Sequence, residues 1–84
     1  MFEGNCLVIN TGVSPAGITE IKLRPETPTT AFNTDQWFTS PAKISREILA
    51  IALSAMTTNK MVFCQLDNES TAYSEVSRFI IRND

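Results

Sequence analysis

The chain has 84 residues, 43% hydrophobic and 19% charged, with only three Gly and four Pro, so it reads as one small folded domain rather than a disordered or low-complexity segment. Seven Lys and Arg stand against nine Asp and Glu, a formal net charge of -2 with no basic run, which argues against a nucleic-acid partner held by its phosphates. There is no His, which excludes His-based catalytic dyads, triads and metal sites, and Cys6 and Cys64 are too far apart in sequence for a C-x-x-C pair or a local zinc knuckle.

In chain order, the first apolar run covers Glu3 to Asn10, with Cys6, Leu7, Val8 and Ile9, and reads as a strand closed by a turn at Asn10-Thr11-Gly12. A second strand is expected from Gly17 to Arg24, where Thr19, Ile21 and Leu23 alternate with Glu20, Lys22 and Arg24. The prolines of Pro25-Glu26-Thr27-Pro28-Thr29-Thr30 and the polar stretch Asn33-Thr34-Asp35 mark the longest loop. Gln36-Trp37-Phe38-Thr39 is a brief third strand with Trp37 and Phe38 on opposite faces.

Ser40-Pro41 signals a helix start, Ser as cap and Pro at the first helical position. Ile44, Ile48, Ile51, Ala52 and Ala55 recur at helical spacing from Pro41 to Thr57, and Asn59 suits a left-handed exit. Met61 to Leu66 is an apolar fourth strand, Asp67 to Ser70 a turn, and Tyr73 to Arg82 a fifth strand. The order β-β-β-α-β-β predicts a mainly β fold with one helix, 1–84 forming a single five-stranded OB-type Greek-key barrel. A helix packed on an open antiparallel sheet satisfies the same order.

Leu49, Leu53 and Met56 form a second apolar stripe on the helix, which is either sunk into the core or a subunit contact. Cys6 and Cys64 fall on strands that neighbour each other in such a barrel, so they are either bridged or two separate buried thiols. The acidic residues are scattered rather than paired, no calcium loop pattern accompanies Asp67-Asn68-Glu69, and no cofactor or catalytic apparatus is expected. Asn68-Glu69-Ser70 spells a glycosylation acceptor, which matters only in a eukaryotic secretory route. Trp37, Phe38 and Tyr73 sit near loops, as core aromatics or as stacking surfaces for a ligand. No apolar stretch reaches the roughly 20 residues needed to span a bilayer, so membrane insertion is not expected.

Two segments resemble the B subunits of bacterial toxins of the pertussis and subtilase cytotoxin type. Ser14-Pro15-Ala16-Gly17-Ile18-Thr19-Glu20-Ile21 is similar to the segment in which a Ser stands four positions before an Ile-Ser-Glu-Leu-like second strand. Glu47 to Ala55, with Asn59-Lys60-Met61-Val62-Phe63, is similar to that family's helix, polar turn and fourth strand. The resemblance implies a secreted or periplasmic, non-catalytic OB-fold subunit of a homopentameric ring that binds a cell-surface glycan, with an A-type subunit as a further partner. On that reading Ser14, beside Trp37 or Tyr73, contacts the glycan, while Leu49, Leu53 and Met56 face a neighbouring subunit. A small acidic inhibitor of a protein partner is the competing expectation, and an OB-type nucleic-acid binder a more distant one.

Overall fold

A computed structural model describes residues 1–82. The elements are β1 (Phe2–Val13), β2 (Thr19–Pro25), β3 (Gln36–Thr39), a 3₁₀ turn (Ala42–Ile44), α1 (Ser45–Thr58), β4 (Val62–Leu66) and β5 (Val76–Ile81). The strands form one antiparallel sheet in the order β3-β2-β1-β4-β5, with the helix inserted between β3 and β4. As a continuous ladder the sheet is open, with β3 and β5 as its edges. Where β5 begins, the chain returns to β3: Tyr73 N–H donates to Trp37 C=O at 2.7 Å, Thr39 N–H donates to Ser74 C=O at 3.0 Å, and Thr39 and Glu75 form an isolated parallel bridge.

Alternation decides which side chains enter the core. Thr19, Ile21 and Leu23 of β2, Val62, Cys64 and Leu66 of β4, and Phe38 of β3 are fully buried, while their sequence neighbours turn outward. The ladder breaks between Val8 and Asn10 of β1, where an irregularity at Ile9 shifts the register against β2 and carries the strand on to Val13. The turn expected at Asn10-Thr11-Gly12 is therefore strand: Thr11 Oγ donates to Glu20 C=O at 3.0 Å, and the chain reverses only after Val13. Phe32, inside the proline-rich loop, is also core. It is 1% exposed and meets Phe2 and Phe38 edge to face, with ring centroids 5.1 and 5.3 Å away.

The helix also departs from expectation at its start. Ser40 caps nothing: it is buried, its N–H donates to Thr19 C=O at 2.9 Å, and its hydroxyl has no hydrogen-bond partner among the described residues. Residues 42–44 make a 3₁₀ turn, and α1 begins at Ser45, whose side chain and carbonyl are both engaged by Thr19. Its exit is as expected, with Asn59 in the left-handed region at φ 57° and its N–H on the carbonyls of Ala55 and Met56. Ile48, Ala52 and Ala55 are the buried face and Ile51 packs partly against the core, whereas Ile44, expected inside, is 38% exposed. At the other end of the chain, Tyr73 lies outside β5, which starts at Val76.

Candidate functional site

The β1–β2 connection is built on Ser14-Pro15-Ala16-Gly17. Pro presets the first central residue, Gly17 accepts φ 82°, and the turn closes with Gly17 N–H on Ser14 C=O at 2.9 Å and Ser14 N–H on Ile18 C=O at 2.8 Å. Ser14 Oγ accepts from Ile18 N–H at 3.3 Å, so one of its lone pairs serves the turn itself.

Immediately after the turn, β2 is tied to the start of α1. Thr19 N–H donates to Ser45 Oγ at 2.9 Å, Ser45 Oγ donates to Gly17 C=O at 3.1 Å, and Thr19 Oγ donates to Ser45 C=O at 2.7 Å. Thr19 is fully buried, its two bonds to Ser45 are part-buried and the Ser45–Gly17 bond is exposed, and together they hold the helix against the turn. Between them runs an open cleft of about 760 Å³, bordered by Val13 and Gly17 on the sheet side and by Lys43, Arg46, Glu47 and Leu49 on the helix side. Sequence reasoning did not single out Lys43, Arg46 or Glu47. Their one visible signal, charge in the first helical turns, is shared by most surface helices.

Trp37 and Tyr73 are linked by a backbone bond, and strand register sets Trp37 apart from Ser14. Trp37 is half-buried on the face of β3 opposite Phe38, paired with Lys22, whose ammonium lies 6.0 Å from the indole centroid. Tyr73 follows through the 2.7 Å bond to the Trp37 carbonyl, the residue 52% exposed and its backbone at φ 65°. Ser14 belongs to the turn after Val13, which pairs with Thr19, three positions along β2 from Lys22. At about 3.4 Å per residue that is about 10 Å along the strand, with a further strand crossed. Of the two aromatics expected as alternatives beside Ser14, Trp37 is thus set well along the sheet from it.

The helix stripe also resolves. Leu53 is 49% and Met56 39% exposed, with Leu49 half-buried, so the stripe lies outside the chain's own core.

No family model, curated protein or solved structure matches this chain. What can be said of chemistry therefore comes from the residues. Among the described residues no three of His, Cys, Asp and Glu gather as metal ligands, and no described helix is long and apolar enough to cross a membrane.

Cys6 and Cys64 lie on adjacent strands, as expected, but both are free thiols in this structure. Cys6 faces Val62 and Cys64 faces Gly4, which sets the two on a diagonal rather than opposite each other. The two side chains are nevertheless close enough to share a thiol–thiol hydrogen bond. Burial, aided by a hydrogen bond with Cys6, pushes the Cys64 thiol well above its ordinary pKa and keeps it neutral. On the surface, the Arg24 guanidinium grips Asp35 with bonds of 2.8 and 3.1 Å, holding that carboxyl below its ordinary pKa. This pair braces the loop before β3 and leaves neither group poised for acid–base work.

Proposed function

We propose that the chain is a non-catalytic, self-associating subunit of OB type that assembles into a closed ring, five-membered as the toxin-like resemblance implies, and binds glycans. Barrel closure is supported by the two backbone bonds and the parallel bridge that join residues 73–75 to β3. The observation that carries self-association is the exposure of Leu53 and Met56, apolar side chains on a helix whose own core needs are met by Ile48, Ala52 and Ala55. A second apolar patch lies on the other side of the core, where Ile80, 48% exposed, is paired with half-buried Phe63 on the outer face of the sheet. Two different patches on one chain are what a head-to-tail contact requires, and head-to-tail contacts that close make rings. A two-fold dimer would need only one patch.

The glycan part of the reading is supported by the cleft beside the Ser14 turn, which offers Lys43, Arg46 and Glu47 as hydrogen-bonding groups next to apolar Val13 and Leu49. Sites of this shallow kind bind weakly alone and gain from repetition around a ring.

Light scattering and native mass measurement test the assembly. The wild type is expected as a single closed oligomer, and Leu53→Glu as a folded monomer with unchanged far-ultraviolet circular dichroism. A monomeric wild type overturns the ring and favours the small acidic inhibitor. For the site, Ser14→Ala and Arg46→Ala are expected to weaken binding on a broad glycan array without altering assembly. An array on which the wild-type oligomer binds nothing removes the glycan reading.

A further inference from the structure

Cys6 and Cys64 are buried nucleophiles that neither the cleft nor the helix stripe uses. Both are 0% exposed, both enter the core from neighbouring strands, and the two thiols lie within hydrogen-bonding reach of each other on a diagonal of the β1–β4 ladder. That ladder is the seam of the sheet. It joins the three-stranded unit of residues 2–39 to β4 and β5, whereas the other ladders each lie within one of those units. A covalent link at the seam would close a loop from residue 6 to residue 64, and small domains often need such a staple. The same burial excludes a redox catalyst. A dithiol that exchanges with substrates presents an exposed thiolate of lowered pKa, whereas here neither sulfur is exposed and burial holds the Cys64 thiol neutral. No oxidant reaches sulfurs without exposed surface, so the redox chemistry of this pair has to precede closure of the core.

We propose that Cys6 and Cys64 are a disulfide site closed while the chain folds, by a small disulfide oxidant such as oxidised glutathione, and that burial then preserves whichever state, dithiol or disulfide, the folding medium set. The free thiols seen in the structure are the reduced one of these two states. In the open chain either thiol ionises near its ordinary value of about 8.5, and its thiolate attacks one sulfur of oxidised glutathione. That S–S bond breaks, one glutathione thiolate leaves, and a mixed disulfide remains on the chain. Pairing of β1 with β4 then brings up the second cysteine, whose thiolate attacks the protein sulfur of the mixed disulfide and expels the other glutathione. Two cysteine thiols are oxidised, one glutathione disulfide is reduced to two glutathiones, and the two thiol protons end on them. The inference is independent of the ring and of the glycan, since it concerns the sheet of a single chain.

The test is to refold the unfolded, reduced chain at mildly alkaline pH, either in reduced glutathione alone or in a mixture of reduced and oxidised glutathione. Denaturation, alkylation and mass measurement then read the outcome. Folding in reduced glutathione is expected to leave both thiols open to alkylation. Folding in the mixture is expected to leave neither, with the mass of a single chain lower by two hydrogens and no glutathione attached. The bridged chain is expected to melt at least about 10 °C higher, because loop closure over so long a segment strongly constrains the unfolded state. Reduced chain that has already folded is expected to keep both thiols in the same mixture over the same time. Two alkylated thiols after folding in the mixture, or glutathione adducts in place of a bridge, overturn the inference, as does a disulfide between two chains. So does a bridged chain that melts no higher than the reduced one, because its bridge then lies outside the native register. Equal closure of the folded, reduced chain overturns it too, because burial then preserves nothing.

Discussion

Replacing Ser45 by Ala is expected to be far more damaging than a surface Ser-to-Ala change, because that one hydroxyl serves two backbone groups. It accepts from Thr19 N–H at 2.9 Å and donates to Gly17 C=O at 3.1 Å, against a fully buried Thr19. Alanine supplies neither bond: the amide of fully buried Thr19 loses its partner, whereas the exposed Gly17 carbonyl can turn to water. An unsatisfied buried polar group costs about 1–3 kcal/mol, and for the Thr19 amide alone about 2.5 kcal/mol is taken from the upper part of that range. Alanine's better helix propensity returns about 0.5 kcal/mol, for a net loss of about 2 kcal/mol. In a domain of this size each kcal/mol moves the melting temperature by about 4–8 °C, so Ser45→Ala should melt about 8–16 °C lower. Thr19→Val removes only the bond from Thr19 Oγ to Ser45 C=O, at 2.7 Å, and should cost about 1 kcal/mol. Since the two side chains share one network, the double variant should lose about 0.5–1 kcal/mol less than the sum. Thermal and urea unfolding of the four proteins provide the assay. A Ser45→Ala shift below about 2 °C, or strict additivity, refutes the idea that this network fixes the helix against the turn.

Two further outcomes are expected. Phe32→Ala should cost about 3–5 kcal/mol, much of the stability of so small a domain, although it sits in a loop; urea unfolding with a loss under about 1 kcal/mol would show that Phe2 and Phe38 close over the gap. Both thiols should be unreactive in the folded chain, and two per chain should titrate once it is unfolded without reductant, a count of zero meaning that the diagonal neighbours are bridged. The raised pKa of Cys64 adds a pH dependence to this. Its stabilising contribution is complete below the ordinary thiol value of about 8.5 and is lost as pH rises above it, because the unfolded state then releases a proton that the folded state keeps. Urea midpoints should therefore fall on the alkaline side in the wild type and fall less in Cys64→Ala.

The sequence by itself determined the element order and most of the inward-facing residues. Strand alternation is a local consequence of the pleat, so Thr19, Ile21 and Leu23 could be placed inside from spacing alone. The left-handed exit at Asn59 is likewise a property of one residue and its own helix. What the sequence could not determine depends on contacts between distant positions. Ser40 has every local mark of a helix cap, yet Ser45, 26 residues after Thr19, starts α1, because Thr19 engages its hydroxyl and carbonyl across the fold. Phe32 is core only because Phe2 and Phe38 converge on it from two strands. The candidate site divides the same way. Ser14, Trp37 and Tyr73 were legible as residues, but the distance of Trp37 from the Ser14 turn was set by strand register, as was the diagonal on which Cys6 and Cys64 meet. Register is a sum of many weak long-range pairings, and a shift of one position turns a whole strand inside out, so it is decided only when the tertiary structure forms.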